Sequence, residues 1–73
     1  MTLEQELEML NSNISFANYS IVDNSIQLYR TKNREHKADL KGWIKRDIES
    51  ILKWKERKTV VVDQIFKTKK VGV

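Results

Sequence analysis

Between Ala38 and Lys58 the apolar residues recur at helical spacing. At about 100° per residue, Leu40, Ile44, Ile48, Ile51 and Leu52 fall on one side, with Trp43 and Trp54 at its edge. The pattern predicts a helix of about 20 residues, about 30 Å long, the width of a small domain. Closer to the start, Leu3, Leu7 and Leu10 make a narrow stripe, extended by Ile14, that predicts a short helix over Thr2 to Leu10. Thr2 followed three residues later by Gln5 fits a capping box. Glu4 and Glu6 lie in the first turn, where carboxylates favour the helix dipole. Asn11, Ser12 and Asn13 signal the stop.

Residues 14 to 31 change period. A two-residue turn at Asp23-Asn24 sets Ile21 opposite Ile26 and Tyr19 opposite Leu28, so that all four share a face, and this predicts a β-hairpin. Ile14 to Ala17 belong either to its first strand or to a preceding link. The polar stretch Thr31 to Lys37 follows; Asn33 caps an early start of the long helix, or Asp39 a later one. Gly42 either admits a neighbouring backbone or is a tolerated glycine on the exposed side. The β-branched run Thr59-Val60-Val61-Val62 predicts a third strand.

The expected architecture is therefore a single α+β domain over residues 1–73, in the order α-β-β-α-β, with 68–73 a frayed tail. A three-stranded antiparallel sheet (14–22, 25–31, 59–67) is covered by the long helix. Its core is expected from Leu7, Leu10, Phe16, Ile21, Ile26, Leu28, Leu40, Ile44, Ile48, Ile51, Leu52, Val60 and Val62.

At 73 residues the chain admits one domain and a thin core. It has no cysteine, which excludes a disulfide framework and a thiolate metal site and favours a reducing, cytoplasmic setting. No apolar run approaches 18 residues, so neither a membrane span nor a signal peptide is expected. The net charge of +4 is unevenly placed. Residues 1–29 carry Glu4, Glu6, Glu8 and Asp23 and no cation, whereas residues 30–58 carry eleven cations against five carboxylates. An acidic start and a basic remainder suggest an anionic partner for the second part.

Chemistry-bearing patterns are few. His36 is the only histidine and has no cysteine or second histidine with which to share a metal. Gly42 and Gly72 are the only glycines, so no phosphate-cradling loop is present. The carboxylates are scattered over different elements. Catalysis, a metal and a cofactor are accordingly not expected.

Two surfaces are candidates for binding. The first is basic: Arg30, Lys32, Arg34 and Lys37 in the connection, with Lys41 and Lys45 on the helix, suit DNA or RNA, because phosphate contacts need flexible cations and no special spacing. The second lies at the edge of the apolar arc, where Asp47 sits between Trp43 and Trp54, two residues that also suit core packing. The favoured function is a small non-enzymatic regulator that binds nucleic acid through the basic loop and helix face. The alternative is an inhibitor from a phage or mobile element, which binds a host nuclease or polymerase through Trp43, Asp47 and Trp54 or the sheet edge. A homodimer closing over that second surface is the third possibility.

Overall fold

The computed structural model describes residues 1–71, with side chains through residue 68. Two helices account for nearly all of it: α1, Leu3–Arg30, and α2, Arg34–Val71. They form an antiparallel hairpin measuring 60 × 18 × 14 Å. Its radius of gyration of 16.9 Å far exceeds the roughly 11 Å of a compact domain of this length. The chain is a rod.

No strand occurs among the described residues, which overturns the α+β expectation, the α-β-β-α-β order and the three-stranded sheet. The reason lies in a period that continues through both supposed strands. On α1, Leu3, Leu7, Leu10, Ile14, Ala17, Ile21, Asn24 and Leu28 recur at alternating steps of four and three. On α2, Leu40, Ile44, Asp47, Ile51, Trp54, Lys58, Val61 and Ile65 do the same. These are the a and d positions of a heptad repeat, the seam along which two helices pack knobs into holes. Every one of them is buried or half-buried. Taking Leu7 and Ile44 as a positions fixes the remaining letters of each heptad.

Burial within the seam wins over local propensity. Val60, Val61 and Val62 are weak helix formers, at a cost of a few tenths of a kcal/mol each. Val61, however, is fully buried, and its hydrophobic gain of about 1.5–3 kcal/mol exceeds that cost. The expected stop at Asn11-Ser12-Asn13 does not occur either, because Leu10 and Ile14 flank it on the seam.

The core is thinner than expected. Leu10, Ala17, Leu40, Ile51 and Val61 are buried, and Leu7, Ile21, Leu28 and Ile44 are half-buried. Phe16, Ile26, Ile48, Leu52, Val60 and Val62, also expected inside, are exposed, Phe16 at 77%. Each falls outside the a and d positions. Ala17 and Val61 belong to the core although the strand reading left both out.

The ends of the helices are set by side chains. Thr2 and Gln5 form the capping box, Gln5 N donating to Thr2 Oγ1 at 3.1 Å and Thr2 N donating to Gln5 Oε1 at 2.9 Å. At the turn, Thr31 N donates to Gln27 O at 2.9 Å and closes α1. The Asn33 carboxamide oxygen accepts from Glu35 N at 2.9 Å and His36 N at 3.1 Å, which starts α2 at the earlier of the two expected places. Gly42 has open space where a Cβ would stand, so it is the solvent-side glycine. The stretch expected to fray, 68–73, begins inside α2, and residues 72 and 73 lie outside the described residues.

Candidate functional site

The turn places the basic residues together. Arg30 ends α1, Lys32 is in the three-residue connection, Arg34 opens α2, and Lys37, Lys41 and Lys45 follow along its first three turns. All six are exposed. At about 1.5 Å per residue, Arg34 to Lys45 spans about 16 Å of helix, so the six cations cluster at one end of the rod. Arg46 is exposed beside them. Over residues 30–46 seven cations face two carboxylates, Glu35 and Asp39, a net of +5 that exceeds the charge of the whole chain. The two ion pairs among the described residues, Glu6–Arg57 and Asp63–Lys67, lie elsewhere.

The opposite half of the hairpin is closed by the first of those pairs. Arg57 Nε donates to Glu6 Oε2 at 2.6 Å and an Arg57 terminal nitrogen donates to Glu6 Oε1 at 3.0 Å, a two-point clamp between g positions of the two helices. The hydrogen bond from Arg57 holds the Glu6 carboxyl below its ordinary 4.5. It also raises the guanidinium above its own ordinary value.

Trp43, Asp47 and Trp54 share a side of α2, as their spacing requires, but that side faces α1. Asp47 and Trp54 occupy seam positions and are half-buried. Trp43 flanks the seam, 45% exposed, with its ring edge-on to His36 at 6.3 Å between centroids. The three residues therefore do not make one exposed patch. Of the three, Trp43 is the most exposed, near the basic end, where Tyr29 is also exposed.

The helical reading also exposes a feature that sequence reasoning missed. A shallow apolar depression on α1 near the turn is lined by Ile21, Val22, Ser25, Ile26, Tyr29 and Arg30. Val22, Ser25 and Tyr29 in its lining are b and e positions, and the b and e positions of α2 carry Ile48, Leu52, Val62 and Phe66, all exposed. The signal was available in the sequence as a second stripe, Ile48, Leu52, Val62 and Phe66, one step round from the seam.

Among the described residues no group of three or more His, Cys, Asp or Glu is arranged to hold a metal ion, and no helix is long and apolar enough to cross a membrane. The chain matches no protein-family model, and neither a curated protein nor a solved structure is significantly similar to it.

Proposed function

We propose that this protein is a small, non-enzymatic regulator of the cytoplasm that binds nucleic acid through the basic tip of its hairpin. The observation that carries this reading is the gathering of Arg30, Lys32, Arg34, Lys37, Lys41 and Lys45 at one end of the rod, all exposed and none in an ion pair among the described residues. Like charges this close repel one another, and no fold-stabilising contact of theirs offsets the cost. A polyphosphate backbone relieves the repulsion and releases its own condensed counterions. Trp43, beside the cations, supplies a ring on which an unpaired base can stack.

The test is titration of a fluorescein-labelled 20-base-pair DNA duplex, and of the RNA duplex of the same sequence, at several salt concentrations. Four to six phosphate contacts give a slope of log K against log salt of about −4 to −5, a loss of about 10²–10³ in affinity between 50 and 200 mM salt. Reversing Arg34 and Lys37 together to Glu reduces the slope by about 2. The same reversal at Lys53 and Lys67, in the other half of the rod, leaves the slope nearly unchanged. Absence of binding to both duplexes at 50 mM salt overturns the proposal.

A further inference from the structure

The hairpin exposes more surface than a protein of its mass does when complete. Its accessible area is 6088 Å², against about 4,700 Å² for a compact fold of 8.7 kDa. The excess is about 1,400 Å² per chain, so two chains together carry about 2,700 Å² of surplus, which falls in the 2,000–5,000 Å² range of obligate homodimer interfaces.

One face gathers several of the exposed large apolar side chains. Every e position of both helices through residue 68 is exposed, whereas half of the g side is drawn in, with Glu6, Asn13, Ser20, His36 and Ser50 half-buried and the Glu6–Arg57 clamp across it. The b and e positions carry Val22 and Tyr29 near the turn, Ile48 and Leu52 near the midpoint of α2, and Val62 and Phe66 near its far end. Ile48 is 46%, Leu52 58% and Phe66 65% exposed. α2 is ten residues longer than α1, so its far end reaches past the start of α1.

The charges on this face select its occupant and its direction. Glu4, Glu8 and Lys55 stand at the open end of the face, a net of −1, and Arg34, Lys41 and Lys45 stand at the turn end, a net of +3. A copy laid parallel superposes like on like and brings two tips of net +5 together. A copy laid antiparallel sets each acidic end against the partner's lysines and sends the two tips to opposite ends.

We propose that a second copy of this chain, running antiparallel, covers the b and e face and completes a four-helix bundle centred on Ile48 and Leu52. The bundle stands whether or not its tips bind phosphate. Its consequence is a bivalent particle, two basic tips separated by about the length of the rod.

Sedimentation of the full chain across micromolar to millimolar concentrations tests the association, with Ile48→Glu and Leu52→Glu as variants at positions outside the hairpin seam. The wild-type chain is expected to be a dimer, and each variant to raise the dissociation constant by about tenfold or more. Val60→Glu, an equally exposed change on the other side of α2, leaves it unaltered. The direction is read without any core change, by attaching a spin label to Lys32→Cys in this cysteine-free chain and measuring the distance between labels. The antiparallel bundle gives a distance approaching the 60 Å of the rod. A parallel one gives about 10–20 Å, one or two helix diameters. A monomer at every concentration overturns the proposal and leaves the face to a different protein. A dimer broken by Val60→Glu but not by Leu52→Glu, or one with a short tip-to-tip distance, overturns it equally.

Discussion

Asp47 is the sharpest probe of the hairpin, because its carboxylate sits at a d position of the seam, half-buried, with no salt bridge among the described residues. It stands across from the Ile14–Ile21 part of α1, where Ala17 leaves the seam narrow. Replacing Asp47 with Leu removes a partly desolvated carboxylate and adds an apolar side chain at a half-buried seam position. A fully buried leucine contributes about 1.5–3 kcal/mol, so a half-buried one contributes about 1 kcal/mol. The helix propensity of Leu over Asp adds a few tenths more. The expected gain is about 1–2 kcal/mol, a rise in Tm of about 4–8 °C per kcal/mol for a chain of this size. Far-UV circular dichroism melts of the two proteins, at matched concentration so that association does not confound the comparison, measure it. A fall in Tm refutes the seam assignment, since a leucine at a wet or ligand-facing position gains nothing.

Two further substitutions check the frame from other sides. Gly42→Ala places a Cβ in open space within α2 and should stabilise by about 0.5–1 kcal/mol, read in the same melts; no gain means that a neighbour does occupy that side. Glu6→Gln removes the clamp to Arg57. Because Arg57 lowers the folded-state pKa of Glu6, the clamp's contribution is present above about pH 4.5 and is lost as pH falls through the lowered value. The wild-type chain should therefore melt above the variant at pH 7, with the gap closing toward pH 3, and a gap that is constant with pH contradicts the pairing.

Local signals in the sequence are legible where a single side chain decides the outcome, as at the Thr2–Gln5 capping box; of the two caps offered for the long helix, Asn33 and Asp39, the structure uses Asn33. The helical character of residues 38–58 was equally legible, because five apolar residues repeat within it. The rest was hidden by composition. Asn24, Asp47 and Lys58 interrupt the heptads with polar groups, and Ala17 is too small to register as a core residue. Meanwhile Tyr19, Ile21, Ile26 and Leu28 alternate over a short window, and Val60 to Val62 carry strong strand propensity. A window of eight residues cannot distinguish these patterns; only the unbroken four-three spacing from Leu3 to Leu28 does, and it is a property of the whole helix. The six basic candidates needed no fold to be named. Their gathering at one tip does, since a sheet connection and a hairpin turn place Lys41 and Lys45 differently.

The polar seam residues and the exposed stripe then have one physical account. Asn24, Asp47 and Lys58 put polar groups at seam positions that could otherwise bury apolar ones, which thins the core. Five buried residues among those described, only Leu40 and Val61 of them fully buried, are few for a free-standing chain of 73. A hairpin built this way needs apolar cover from outside itself, and the face formed by Ile48, Leu52 and Phe66 is where that cover attaches.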